Sequence, residues 1–381
     1  MADRDNVSWI SSETSRRAKS AVAVALSFVV LLAGLGLASW KGYSFYMDLR
    51  QQDDYIGAGE DPIQVVIRDG DGWARVADSL MALDVIKDPS LFETEALKFS
   101  DGPQQAGTWN LLTHLPAATA ASMLNDPKNL VVIHFTVPEG TRLLDLNAMM
   151  IDQLNDTQDQ IDQAMAAVQA DPSVIGLNPA AGNNPEGFLF PDTYFLYPPI
   201  NTDPISVYAM MAKKFTSVVG GLDVDAKAAE LGLTIQQIVV VASIIEAEVN
   251  NPEDGPKVAR AIYNRIADGI PLGVESVFRY GRLMADGTPY NDPITASSQQ
   301  DGSLPYNYYV NTGLPSTPIN SPGQDSLSAA LNPAEGDWIY WVTVNLDTGQ
   351  TEFASDEAGF LALEAQFNQW CADNGEPAGC S

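Results

Sequence analysis

The sequence predicts an α+β protein: a single N-terminal transmembrane helix, a small α+β module, and a larger α+β domain built around one buried helix. Three observations predict it. Ala21–Ser39 runs nineteen residues without a charge, a strand–turn–helix pattern begins at Ile63, and Ile235–Ile245 is apolar on nearly every helical face. The expected order is a cytoplasmic N-terminus over 1–20, the span over 21–40, a linker over 41–61, the module over 62–130, the large domain over 131–355 and a C-terminal tail over 356–381.

Composition narrows the function classes. The 381 residues allow two to three folding units at roughly 150 residues each. With 20 Lys+Arg against 49 Asp+Glu, the net charge of −29 has the wrong sign for holding phosphate backbones. No nucleic-acid partner is expected. His114, His134, Cys371 and Cys380 are the whole supply of imidazoles and thiols, so neither an HExxH nor a paired CxxC zinc site can be written. No metal or other cofactor is expected.

The uncharged run reaches roughly 28 Å as a helix, about the thickness of a bilayer core. Trp40, Tyr43 and Tyr46 follow as an interfacial aromatic belt. Arg4, Arg16, Arg17 and Lys19 precede the run, which keeps the N-terminus in the cytoplasm and sends the acidic bulk outside the cell membrane. Disulfides are permitted there. Cys371 and Cys380 can close a small loop or stay free.

Past a polar linker, Ile63–Arg68 alternates into a strand, Asp69–Gly72 turns, and Trp73–Leu83 has helical spacing. Pro89–Phe99 reads as a short helix and Gln105–Leu112 as a returning strand. Leu130–Val137 is a strand opening the large domain; its His134 sits between apolar neighbours and is read as structural. Leu143–Ala170 is expected to be one helix. Pro185–Tyr197, with Pro191 inside it, is an edge strand or extended wall whose aromatics either offer sugar-stacking faces or, more simply, pack beneath the central helix.

Thr234 and Gln237 form a capping box that starts the central helix, which ends before Asn250, Asn251 and Pro252. Glu246 falls inside its apolar pattern, within roughly 40° of Val239 and Ala242, while Glu248 points to nearly the opposite side. Apolar neighbours and the negative end of the helix dipole both disfavour an ionised carboxyl, as a general acid requires. On physical grounds alone, a solvated helix-end residue or an ion pair with Arg260 or Arg265 is as good a reading.

Several blocks in order resemble the membrane-anchored endolytic peptidoglycan transglycosylases, the YceG-like or MltG-type lytic transglycosylases. These are Ala242–Val249 (ASIIEAEV), Asn264-Arg265, Glu186–Tyr194 (EGFLFPDTY), and the run from Tyr306-Asn307-Tyr308-Tyr309 through Gly313-Leu314-Pro315 to Ser321-Pro322-Gly323, Ser326 and Asn332-Pro333-Ala334. The resemblance spans roughly Ile63 to Phe353. It implies a LysM-like N-terminal module and a catalytic domain that needs no cofactor. Its substrate would be peptidoglycan glycan strands, and peptidoglycan synthases are its candidate protein partners.

Carried over by position, the resemblance makes Glu246 the single acid/base. It would protonate the oxygen leaving MurNAc C1 and then deprotonate the C6 hydroxyl that closes a 1,6-anhydro end. Asn264, Glu275, Tyr306 and Asn307 are the candidate substrate-orienting residues. The sequence departs from the family pattern at Leu272–Val277, where Gly273, Glu275 and Ser276 stand in a segment that usually reads LQ(S/T)DPT, at Ala247, and at Ser316-Thr317. Two alternatives stay open: a muramidase with Glu275 or Glu248 assisting water, and, suggested by the altered Leu272–Val277 segment, a membrane-tethered glycan binder without turnover.

Overall fold

The computed structural model describes residues 32, 34–42, 54–103, 105–177, 182–290, 292–375, 377 and 380. Most of the expected span lies outside them. Leu32 and Gly34–Gly42 are helical, with Leu32, Leu35, Leu37 and Trp40 exposed. Among the described residues no single helix is long and apolar enough to cross a membrane.

The chain divides into two compact units, one of Met1–Val65, Gly70–Gln104 and Asn110–Asn129, the other of Val66–Asp69, Gln105–Trp109 and Leu130–Ser381. The first contains most of strand β1 (Pro62–Ile67), helices α1 (Trp73–Ala82) and α2 (Pro89–Ala96), half of strand β2 (Gly107–Leu112), and α3 (Ala117–Met123). Strands β1 and β2 pair as a two-stranded sheet. Asp88 caps α2 by accepting from the N–H groups of Ser90 and Leu91, with Pro89 at the first helical position, where a missing N–H costs nothing. Trp73 and Phe92 meet edge to face at 5.7 Å in the core of this unit. The end of the expected linker is tied down: Asp54 accepts from the Ala117 N–H at 3.1 Å, and the Glu60 N–H donates to the Thr113 carbonyl at 3.0 Å.

The second unit opens with β3 (Ile133–Thr136), shorter than its apolar run suggests. The segment expected as one helix is two, α4 (Leu143–Leu154) and α5 (Gln158–Ala170). Asn155 adopts a left-handed conformation (φ 61°) that ends α4, and Thr157 with Gln160 forms a capping box that starts α5. Strand β4 (Thr193–Leu196) pairs antiparallel with β3, setting His134 opposite Phe195 with ring centroids 4.9 Å apart. His134 is an exposed cross-strand packing residue, as its surroundings suggested. The aromatic block leading into β4 turns inward: Phe188, Phe190 and, within the strand, Tyr194 are buried.

Helices α6 (Pro204–Gly221) and α7 (Val224–Leu231) lead to the central helix α8 (Ile235–Glu248), in which Ile238–Ile245 are all buried. Its capping box is formed as expected. Around α8 pack α7, α9 (Gly255–Ala267), α10 (Glu275–Asp286) and, after the short α11 (Ala296–Gln299), α12 (Gln324–Leu331). An antiparallel hairpin, β5 (Tyr340–Asn345) with β6 (Gln350–Ala354), follows. The residues expected as a tail form a seventeen-residue helix, α13 (Glu357–Asp373), packed on β5 and β6. Cys371 at its end is bonded to Cys380.

Candidate active site

Glu246 and Glu248 leave the end of α8 on opposite sides and enter two cavities that share no lining residue. Each is assembled from segments far apart in sequence.

On the Glu246 side, the loop before α12 is bound to α8. Ser243 accepts the Ile319 N–H at 3.1 Å through its hydroxyl, and the Asn320 amide donates to the Ser243 carbonyl at 3.0 Å. This brings the start of α12 onto Glu246, whose Oε2 accepts the Gly323 N–H at 2.9 Å and the Ser326 hydroxyl at 2.7 Å. Glu246 therefore serves α12 as a cap supplied from another helix, where the dipole favours negative charge. It is half-buried with polar partners, rather than wrapped in apolar side chains as its helical position suggested. Glu139, in a Pro-Glu-Gly turn, lines the same cavity. Only a glycine at 323 admits that carboxylate, since a Cβ there would fall 2.0 Å from Glu139 Oε1. Partial burial and the charges of Glu246 and Asp325 hold the Glu139 carboxyl above its ordinary range.

The Glu248 side is a cleft of about 310 Å³ walled by Tyr309, Tyr340, Trp341 and Phe360, with Leu272–Glu275 along its floor. Arg265 ties the walls together. Its guanidinium donates to the carbonyls of Ile339, Pro271 and Leu272 and lies 4.8 Å from the Tyr340 ring centre. Phe360 of α13 stacks on Tyr340 at 4.7 Å. Burial raises the Glu248 carboxyl above the ordinary range, Ser276 and the Trp341 indole pull the other way, and the charge of Glu275 adds to the rise. A carboxyl disposed to keep its proton, at the edge of an aromatic-walled cleft, has the makings of a general acid.

The residues expected to orient substrate do not gather around Glu246. Glu275 opens α10 in the Glu248 cleft, its Oε1 accepting from Arg279 Nε at 2.6 Å. Asn264 donates to the carbonyls of Gly336 and Trp338 at 3.2 and 2.9 Å, holding the approach to β5. The Tyr306 hydroxyl is hydrogen-bonded to that of Thr317 at 2.6 Å, and the Tyr306 ring meets Tyr280 at 5.2 Å. Asn307 is fully buried and donates to the carbonyls of Ser298, Gln299 and Asp301. Asn264, Tyr306 and Asn307 are thus engaged in internal bonds, and none of them lines either cavity. The aromatic walls escaped sequence reasoning, although Tyr340-Trp341 in an alternating strand was a visible signal.

Comparison with known proteins agrees with this architecture. The model of the YceG-like family matches residues 65–366. Proteins named endolytic murein transglycosylase are similar. Those of two Streptococcus pneumoniae strains are 24% identical over 364 residues, covering 88% of this chain and 63% of theirs. That of Bacillus subtilis is 25% identical over 290 residues, covering 74% of this chain and 78% of its own. The chain therefore spans a little under two thirds of the pneumococcal relatives. The crystal structure of a YceG-like protein from Listeria monocytogenes shares the fold, with a TM-score of 0.51 at 22% identity over 80% of this chain and all of that one.

Proposed function

The chain belongs to the YceG-like family, and from that premise we propose that it is a murein transglycosylase whose acid/base is Glu248 rather than Glu246. The observation that carries this reading is the Glu248 cleft, in which a carboxyl raised by burial is ringed by four aromatic walls. Glu248 protonates the oxygen leaving MurNAc C1. The resulting carboxylate then takes the proton of the MurNAc C6 hydroxyl as that oxygen bonds to C1, closing a 1,6-anhydro ring and restoring the acid. No protein nucleophile is required. The aromatic walls offer stacking faces for sugar rings.

A second carboxylate, Glu275, in the same cleft supports the muramidase alternative, in which water replaces the C6 hydroxyl. Mass analysis of muropeptides released from purified peptidoglycan separates the readings. Anhydro ends are expected; reducing ends identify the hydrolase, and binding without release identifies a tethered glycan binder.

The proposal includes a membrane anchor over 21–40, supported by the uncharged run and the basic flank before it. It also includes a LysM-like module, supported by the strand–helix–helix–strand order of β1, α1, α2 and β2, and peptidoglycan synthases as partners. A C-terminal reporter that works only outside the cytoplasm should be active. Activity of a cytoplasmic reporter at the same position would overturn the topology.

A further inference from the structure

Resting on that reading, we propose that the second unit carries a distal glycan subsite, a pocket for an N-acetylglucosamine residue separate from the Glu248 cleft. The two sites share α10. Glu275 faces the cleft and Met284 the pocket, nine positions or roughly 14 Å apart along the helix.

The pocket encloses about 600 Å³, the size of an ordinary small-ligand site. Its apolar walls come from Leu143, Leu144, Met165 and Met284, and two of these lie open at its surface, Leu144 at 47% and Met284 at 55% exposure. Its polar groups are chiefly side-chain amides, and two of those have a fixed orientation. Asn147 Oδ1 accepts the Tyr208 hydroxyl at 2.5 Å, and Asn184 Oδ1 accepts the Glu186 N–H at 3.1 Å. With both oxygens engaged, the amide nitrogens are left as donors. The one carboxylate in the lining is committed as well: Glu186 accepts the Leu143 N–H at 3.0 Å and the Tyr280 hydroxyl at 3.1 Å.

A pocket whose carboxylate is tied up internally, with pinned donors and methyl-rich walls, suits a ligand that is uncharged, rich in acceptors and carries a small apolar group. An acetamido sugar has these features: its carbonyl takes the amide protons, its methyl lies on the Leu and Met walls, and its ring C–H face covers the exposed side chains. Stem peptides fit poorly, because they bring carboxylates and, among the described residues, the lining contains no lysine or arginine. The acidic chain as a whole also repels anions.

The test uses the full chain in detergent, labelled at methionine methyls and tryptophan indoles for NMR and titrated with chitotetraose or its de-N-acetylated counterpart. Met165 and Met284 methyls are expected to shift with chitotetraose only, and Met284→Glu should weaken that response at least tenfold. Equal shifts with both oligomers overturn recognition of the acetamido group. Movement of Trp341 without Met165 and Met284 overturns the subsite while leaving the cleft reading intact. Silence at both methionines likewise overturns the subsite, and muropeptide release, measured in parallel, decides the cleft reading independently.

Discussion

Glu248→Gln is expected to leave a folded protein whose turnover on peptidoglycan falls by on the order of 10²–10⁴, the usual contribution of a positioned general acid/base. The amide keeps the shape of the carboxyl but cannot cycle a proton. Glu246→Gln supplies the contrast. It replaces a charged acceptor for the Gly323 N–H and the Ser326 hydroxyl, and a hydrogen bond to a charged group contributes about 1.5–3 kcal/mol. Its effect should therefore appear in the melting temperature, with turnover within about tenfold of wild type, well short of the loss from an acid/base. The reverse outcome, Glu246→Gln inactive and well folded with Glu248→Gln active, returns the proton to Glu246. Because burial raises the Glu248 carboxyl, the alkaline limb of the wild-type pH–rate profile should be its titration, with rate falling as the acid form is lost.

The second large effect is on stability. Burial raises the Glu186 carboxyl from 4.5 to about 7, against the opposing pull of the Leu143 N–H and the Tyr280 hydroxyl. Below pH 4.5 both folded and unfolded chains hold this proton; between 4.5 and about 7 only the folded chain does. The stability it contributes is thus fully present at low pH and lost as pH rises through the folded value, a change of about 3 kcal/mol. Glu186→Gln retains the shape and removes the titration. Denaturant unfolding at pH 5 and pH 8 should show the variant gaining on wild type by about that amount. Equal pH slopes in the two proteins would show that Glu186 ionises in the fold as freely as outside it.

Local chemistry was the legible part of this molecule. The Thr234–Gln237 capping box and the apolar run of α8 depend on neighbours within a few residues, and both formed as expected. The break between α4 and α5 was missed, although its signal is present. Thr157 and Gln160 have the spacing that marks the start of α8, but the apolar periodicity on either side conceals it. The site was half legible. Helical geometry correctly sent Glu246 and Glu248 to opposite sides. Which side forms the cleft depends on Tyr309, Trp341 and Phe360, contributed by segments 61, 93 and 112 positions beyond Glu248. Helical periodicity contains no information about such distant partners. It therefore could not show that Glu246 caps α12 while Glu248 faces aromatic rings.

Helix α13 is fastened at two separate places. The family match ends at residue 366, inside this helix. Phe360, which stacks on the cleft wall, lies within the matched stretch, and the Cys371–Cys380 bridge lies beyond it. The two are separated by eleven positions, roughly 16 Å of helix. One end of α13 is bound to the shape of the cleft, and the other is held by the cystine. Because that cystine lies about three helical turns from Phe360, its reduction is expected to loosen the far end of α13 without displacing the ring that meets Tyr340.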